Sequence, residues 1–227
     1  MMPCLNGATC SPTTTFPYYK CQCQPLNRGK KCDQFLQIPA LFASETNITL
    51  QNGDTKQGLV EDGWVVLLRR KDGSVSFTSK SWDDYKNGFG QLKGEFWLGN
   101  ELVHLLTTNA SYRVRFDLVS HDGQWVYAEY SHFSVGPEND SYRLHIGGYS
   151  GNASDGMTGH GSNQTANNMP FYRPDDHFCS TGGWWLNQFC YVRLTGTYDL
   201  TKDSWLNIVW YPFSKRLAYA DMKITII

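Results

Sequence analysis

The chain has 227 residues, with 20 basic and 21 acidic side chains and a formal net charge of −1. This length excludes a large multidomain enzyme, and the balanced charge gives no basic surface of the kind that binds nucleic acid or an anionic membrane. Hydrophobic residues make up 41% of the sequence, which is enough for a core, but no apolar run approaches the ~20 residues that insert into and span a bilayer.

Cysteines are concentrated near the N-terminus, where the first 32 residues contain Cys4, Cys10, Cys21, Cys23 and Cys32. A cysteine-rich segment that is too short to bury a core is typical of secreted modules held by disulfides. Zinc binding is the alternative, but Cys21 and Cys23 do not form a C-x-x-C pair and no histidine precedes His104. The pattern therefore favours disulfides over zinc.

Several further features indicate a secreted glycoprotein. The sequence has five Asn-x-Ser/Thr acceptors for N-glycosylation: Asn47, Asn109, Asn139, Asn152 and Asn163. The first residues show no apolar signal-peptide region, and the odd number of cysteines leaves one thiol without a partner. Both features are explained if the sequence is the C-terminal part of a longer extracellular protein.

Residues 34–62 contain no cysteine and one plausible strand at residues 47–50, so we interpret them as a connector. From Gly63 onward the pattern changes to alternating and apolar runs that predict strands at residues 64–68, 112–119, 125–133, 142–146, 205–210 and 217–227. Residues 82–89 and 101–106 read as short helices. The elements predict an α+β fold with a mixed, mainly antiparallel sheet, short helices and long binding loops.

Four segments of this region carry a family resemblance: residues 63–101, 112–157, 182–190 (GGWWLNQFC) and 219–224 (YADMKI). They resemble fibrinogen C-terminal-like domains, which implies that residues 63–227 form one such domain. The resemblance implies an extracellular recognition module that binds its partner in a loop-built pocket and has no catalytic activity. Several members of this family recognise acetylated sugars and others recognise protein receptors.

Residues 1–33 resemble an epidermal-growth-factor-like module whose first cysteine lies upstream of this sequence. The resemblance implies disulfides between Cys4 and Cys21 and between Cys23 and Cys32, which leaves Cys10 as the odd thiol. In the larger domain it implies a disulfide between Cys179 and Cys190. A disulfide that closes a ring of about a dozen residues stabilises the folded state by roughly 3 kcal/mol.

The ligand-binding residues that the fibrinogen-like resemblance implies are Trp184, Trp185, Asn187, Cys190, Tyr191 and Tyr198. Adjacent Trp184 and Trp185 could stack on a sugar ring or, as the alternative, brace the disulfide with one ring buried and the other exposed. Tyr191 and Tyr198 could line the pocket with apolar faces and polar tips, or pack within the domain.

A calcium site is the cofactor that the resemblance implies. It would use the carboxylates of Asp175 and Asp176 with the backbone carbonyls of His177 and Phe178. Calcium binds six to eight oxygen atoms and usually more than one carboxylate, so an acidic turn without metal is the alternative.

Two functional hypotheses follow from the resemblance. The first is a lectin-like module of innate defence that binds carbohydrate or acetylated surface groups. The second is a matrix, cell-adhesion or receptor-ligand module that binds a protein, and the neighbouring cysteine-rich segment favours it. Oligomerisation would depend on upstream segments. An enzyme is the third reading, but Gly159-His160-Gly161-Ser162 is not the Gly-x-Ser-x-Gly turn that presents a nucleophilic serine.

Overall fold

The computed structural model describes residues 9–12, 19–22, 27–28, 34–35, 43–50, 55–159, 165–173 and 182–227. The chain divides into two compact units, Met1–Leu41 and Phe42–Ile227. The smaller unit contains two antiparallel strand pairs: β1 (Thr9–Pro12) with β2 (Tyr19–Gln22), and β3 (Asn27–Arg28) with β4 (Gln34–Phe35).

Cysteine pairing in the smaller unit is described only in part. Cys10 lies opposite Cys21 in the ladder, and Cys21 is disulfide-bonded. Cys4, Cys23 and Cys32 lie outside the described residues, so the pairings implied for them stay predictions.

The larger unit is built on one antiparallel sheet with the strand order β12-β11-β10-β15-β7-β6-β5. Its strands are β5 (Ala43–Thr49), β6 (Thr55–Glu61), β7 (Trp64–Arg70), β10 (Tyr112–Ser120), β11 (Trp125–Val135), β12 (Leu144–Gly151) and β15 (Leu217–Ile226). The short strand β9 (Phe96–Trp97) pairs with β7, and β8 (Phe89–Gly90) pairs with β9. Strand β13 (Val192–Arg193) pairs separately with β14 (Val209–Trp210). The predicted α+β class with a mainly antiparallel sheet is confirmed.

Alternation along β10 shows why this sequence forms a central strand. Val114, Phe116 and Leu118 are fully buried on one face, whereas Arg113 and Arg115 lie on the other. Because side chains of a strand point alternately to the two faces, this spacing places Val114, Phe116 and Leu118 together on the core side.

The region that we interpreted as a connector contributes to this sheet. β5 and β6 form an antiparallel hairpin, and β6 continues into β7 through a tight turn at Asp62 and Gly63. The sheet therefore begins before Gly63, within residues 34–62, which we interpreted as a connector. The predicted strand at residues 47–50 covers only the end of β5, because an edge strand exposed on both faces shows little apolar alternation, and only Ile48 within it is buried.

Two helices lie close to their predicted positions. α1 (Trp82–Asn87) begins with a capping box, in which Ser81 and Asp84 each accept a hydrogen bond from the other's backbone N–H. The helix ends two residues earlier than predicted because Gly88 has a φ of 90°, outside the helical region. α2 (Asn100–Thr107) extends the predicted helix by one residue at each end.

The predicted strand at residues 205–210 is shorter in the structure. Only Val209 and Trp210 form a strand, whereas residues 205–206 belong to a turn with exposed side chains. Among the described residues, no helix is long and apolar enough to cross a membrane.

Candidate binding surface

Trp184 and Trp185 lie in the core of the larger unit. Their side chains are 0% and 1% exposed, and their rings meet edge to face at 5.3 Å. The Trp185 ring also packs against Phe171, and its Nε1 donates to the carbonyl of Tyr142 at 2.8 Å. This corrects both predictions for the pair: neither ring is an exposed platform, and the two are not divided between core and surface. Large aromatic rings gain most by burial, which favours the core position.

Asn187 and Cys190 form a tight turn. The Asn187 Oδ1 accepts hydrogen bonds from the backbone N–H groups of Phe189 and Tyr191, at 3.0 and 3.3 Å. Cys190 is disulfide-bonded and has a φ of 55°, a left-handed conformation that non-glycine residues rarely adopt. Asn187 therefore shapes the backbone that presents residues 189 and 191, rather than facing solvent itself. Cys179, its implied disulfide partner, lies outside the described residues.

Tyr198 connects the turn after β7 with strand β15. Its hydroxyl lies 2.8 Å from the carbonyl oxygen of Lys71 and 2.9 Å from that of Ala218, and its ring contacts Gly73. Burial raises the pKa of the Tyr198 phenol well above its usual value. These contacts are structural, so Tyr198 is not part of an exposed site.

Tyr191 is the one predicted ligand-binding residue that the structure brings to the surface beside other aromatic rings. It stacks on Phe189 at 5.4 Å and on Tyr211 at 5.0 Å, and Trp205 packs against Tyr211 at 5.3 Å. We call Phe189, Tyr191, Trp205 and Tyr211 the aromatic surface. Three of these four residues were not predicted as site residues.

Backbone pairing explains how residues so distant in sequence meet. Val192 pairs with Trp210 in the β13–β14 ladder, and the N–H of Tyr211 donates to the carbonyl of Tyr191 at 2.8 Å. Tyr191 and Tyr211 therefore leave the short ladder side by side.

Trp205 reaches the same place from a separate loop. The Asn207 side chain donates to the carbonyls of Asp199 and Lys202, at 3.0 and 2.8 Å. These hydrogen bonds hold the two ends of the loop formed by residues 199–207 together. Trp205 lies at the outer end of that loop.

The aromatic surface is open to solvent. Phe189 is 45% exposed and Trp205 is 39% exposed, and the adjacent Leu206 is 50% exposed. The Nζ of Lys215 lies 4.1 Å from the Trp205 ring centroid, a cation–π contact that sets a positive charge at the edge. A contiguous apolar surface with a charged edge is typical of a binding site.

A buried ion pair supports residues 194–196, which follow Tyr191 in the chain. Arg70 donates to the carbonyls of Leu194 and Gly196, at 2.9 and 3.0 Å, and its Nε lies 3.4 Å from Glu95. Burial lowers the pKa of Arg70, while the Glu95 charge opposes that shift. Residues 194–196 are thereby fixed to β7.

The residues predicted to bind calcium lie outside the part of the chain that the structure describes. Asp175, Asp176, His177 and Phe178 are not among the described residues. Within the part of the sequence that the structure describes, no three potential ligands are grouped as a metal site requires.

The glycosylation acceptors that the structure describes are accessible to modification. Asn47, Asn109, Asn139 and Asn152 are all exposed, and none belongs to the aromatic surface. Asn163 lies outside the described residues.

Comparison with known proteins agrees with this architecture. The family model described as "Fibrinogen beta and gamma chains, C-terminal globular domain" matches residues 28–226. Fibrinogen-like protein 1 from Homo sapiens is 38% identical over 206 residues, covering 82% of this chain and 64% of that protein. Angiopoietin-4 from Homo sapiens is 42% identical over 150 residues, covering 62% of this chain and 29% of that protein. The chain therefore spans less than two thirds of each of these relatives.

Solved structures show the same fold. The fibrinogen-like globe domain of human ANGPTL6 superposes with a TM-score of 0.74 at 29% identity, covering 82% of this chain and 90% of that one. Lamprey fibrin D-dimer, in complex with a Gly-His-Arg-Pro-amide peptide, superposes with a TM-score of 0.67 at 31% identity, covering 77% of this chain and 66% of that one. The protein belongs to the family of globular domains that form the C-terminal part of fibrinogen β and γ chains.

Proposed function

We propose that this chain is an extracellular recognition module that binds a protein partner through the aromatic surface and catalyses no reaction. The observation that carries the proposal is the contiguous stack of four aromatic rings, in which Phe189 and Trp205 are exposed and Tyr191 and Tyr211 are half-buried. Tyrosine and tryptophan are the side chains most enriched among the energetically dominant residues of protein interfaces.

The side chains at the edge of the aromatic surface agree with a protein partner. Exposed Leu206 extends the apolar area, and Lys215 supplies one positive charge beside Trp205. A partner with an apolar centre and an acidic or carbonyl-rich rim would complement this arrangement. The lamprey fibrin structure, which shares the fold, contains a bound peptide.

The surface is also preorganised. Asn187 holds the backbone of residues 189 and 191, and Cys190 is covalently tied. Groups that are already ordered lose little conformational entropy on binding, which favours affinity for a given area.

Carbohydrate with acetylated groups is the second candidate. The specific observation in its favour is that the rings of Tyr191 and Tyr211 stack at 27° with a centroid distance of 5.0 Å, which places flat apolar faces beside phenol hydroxyls. Sugars offer apolar ring faces together with hydroxyl groups, and tyrosine can contact both. A lectin role in innate defence would rest on this candidate.

Four accompanying proposals concern the rest of the protein. The five acceptors and the disulfide-bonded Cys21 and Cys190 support a secreted glycoprotein. Residues 1–33 are proposed as a partial epidermal-growth-factor-like module, and the link to the recognition domain is proposed to lie within residues 34–62, before β5 begins at Ala43. Oligomerisation is proposed to depend on upstream segments. Calcium at Asp175 and Asp176 is tested by calorimetric titration, where no binding below millimolar calcium would contradict the site.

The main proposal is tested by screening the protein against a display library of secreted proteins and against a glycan array. Binders are then measured on Trp205→Ala and Tyr211→Ala, with Trp125→Ala as the matched control because Trp125 is 40% exposed elsewhere. We expect protein binders to lose about 30-fold or more in affinity on the two test variants and little on the control. Glycan binders with the same dependence would establish the second candidate, and binders indifferent to both variants would contradict the site.

A further inference from the structure

Arg193 is a buried cation with no hydrogen-bond acceptor among the described residues. Its side chain is 0% exposed, and none of its three guanidinium nitrogens has a partner within the described structure. The residue lies in β13 opposite Val209, and its neighbours Val192 and Leu194 are buried as well. A guanidinium carries five N–H donors, and leaving them without acceptors away from water is strongly unfavourable.

Loss of the proton does not remove this problem. Burial lowers the pKa of Arg193 to about 10. A group with this pKa is still about 99.9% ionised at pH 7. The positive charge is therefore present in the folded protein and requires a counter-charge.

No buried carboxylate of the described residues is left to supply it. The buried acids and their cationic partners are Glu61 and Asp221 with Arg69, Glu95 with Arg70, and Asp117 with Arg115 and Lys223. Each of these acids is already paired. Arg193 has no ion pair within the described ranges, which distinguishes it from Arg69 and Arg70.

Trp184 carries a second buried donor, its Nε1, that lacks an acceptor among the described residues. A water molecule could accept from the Arg193 guanidinium but would leave its charge uncompensated, whereas an anion would both accept and neutralise.

We propose that the Arg193 guanidinium binds a small inorganic anion of the chloride class inside the larger unit. The anion accepts N–H hydrogen bonds from the guanidinium and neutralises it. The absence of solvent exposure at Arg193 excludes a large ligand and favours a monatomic ion. Because β13 leads directly from Tyr191, a bound anion would stabilise the support of the aromatic surface without contacting its partner.

The first test uses the unmodified protein. Thermal unfolding is followed in sodium chloride and in sodium gluconate at equal ionic strength, over a hundredfold range of concentration. Because a ligand that binds only the folded state raises the midpoint, we expect a rise of about 5 °C in chloride relative to gluconate. Equal midpoints in the two salts would overturn the proposal.

The second test separates a bound ion from a general salt effect. Arg193→Met removes the charge but retains an unbranched apolar side chain, and Arg113→Met is the control because the Arg113 side chain is 46% exposed. The chloride-dependent rise should disappear in the first variant and persist in the second. Its persistence in Arg193→Met would count against the anion.

A third measurement does not depend on whether Arg193→Met folds. Crystals of the unmodified protein grown in bromide are examined by anomalous diffraction. A bromide peak at hydrogen-bonding distance from the Arg193 guanidinium is expected. Bromide peaks confined to other positions would contradict the site.

Discussion

Arg70 and Glu95 approach to 3.4 Å inside the larger unit, with side chains that are 2% and 0% exposed. The Glu95 carboxylate also accepts hydrogen bonds from backbone N–H groups of the turn that follows β7, those of Lys71, Asp72, Gly73 and Val75. Arg70 donates in the other direction, to the carbonyls of residues 194 and 196. The pair thus joins the central sheet to the segment beneath the aromatic surface.

Neutralising Glu95 should destabilise the whole unit. In Glu95→Gln, the buried Arg70 loses its counter-charge and several backbone donors lose a charged acceptor, so we expect a loss of about 3–5 kcal/mol in the free energy of unfolding. Urea denaturation measures the change. Glu45→Gln is the control, because Glu45 faces the exposed Lys93 at 3.8 Å and should change stability by less than about 1 kcal/mol. Similar losses in both variants would refute the role of the buried pair.

Two tryptophans should separate folding from binding. Trp185→Ala removes a core ring that is 1% exposed and should cost about 3–5 kcal/mol of stability. Trp205→Ala removes a ring that is 39% exposed and should cost about 1 kcal/mol or less, while it abolishes most partner affinity. Denaturation and binding of each variant provide the comparison. A strongly destabilised Trp205→Ala would show that the aromatic surface is structural.

The capping box of α1 should make part of the stability dependent on pH. Hydrogen bonds from the backbone and side chain of Ser81 lower the pKa of Asp84. A carboxyl group with a lowered folded-state pKa stabilises the protein above its unfolded pKa of about 4, and this contribution is lost as pH falls through the folded-state value. Asp84→Ala should therefore cost about 1 kcal/mol at pH 7 and almost nothing at about pH 2.

The control for this cap is the neighbouring Asp83→Ala. Asp83 is exposed in the first turn of α1, and its side chain takes no part in the capping box. Its substitution should change stability by a few tenths of a kcal/mol through the helix dipole. Denaturation at both pH values distinguishes the two variants. A difference for Asp84→Ala that remained unchanged at the acidic pH would contradict the charge-dependent cap.

Glycans should occupy the exposed acceptors when the protein is made in a secretory cell. Asn109 and Asn139 lie in exposed loop and turn positions. Peptide mapping by mass spectrometry before and after enzymatic deglycosylation measures occupancy at each asparagine. Glycosylation that leaves partner binding unchanged is expected, because none of the described acceptors belongs to the aromatic surface. Unmodified asparagines in every mapped peptide would contradict the secreted-glycoprotein proposal.

Local patterns were sufficient for much of the sheet. Residues 112–119 and 125–133 alternate so regularly that β10 and β11 were predicted within two residues at each end. The helix predicted at residues 82–89 begins where α1 begins, at Trp82. These features depend on near neighbours in the sequence, which is the range over which strand and helix periodicity act. The exposed edge strand β5 carried little of this pattern, and only its last residues, 47–49, were predicted.

The sequence alone thus determined the family, the class of fold and the neighbourhood of Cys190 as the region to examine. Only the tertiary structure decided that Trp184 and Trp185 belong to the core and that Trp205 and Tyr211 join Tyr191 at the surface. It alone also showed that Arg193 is buried and has no counter-charge among the described residues. The physical reason is that burial and ring stacking depend on contacts between segments far apart in the sequence, and neither periodicity nor composition encodes which of several aromatic residues will remain exposed.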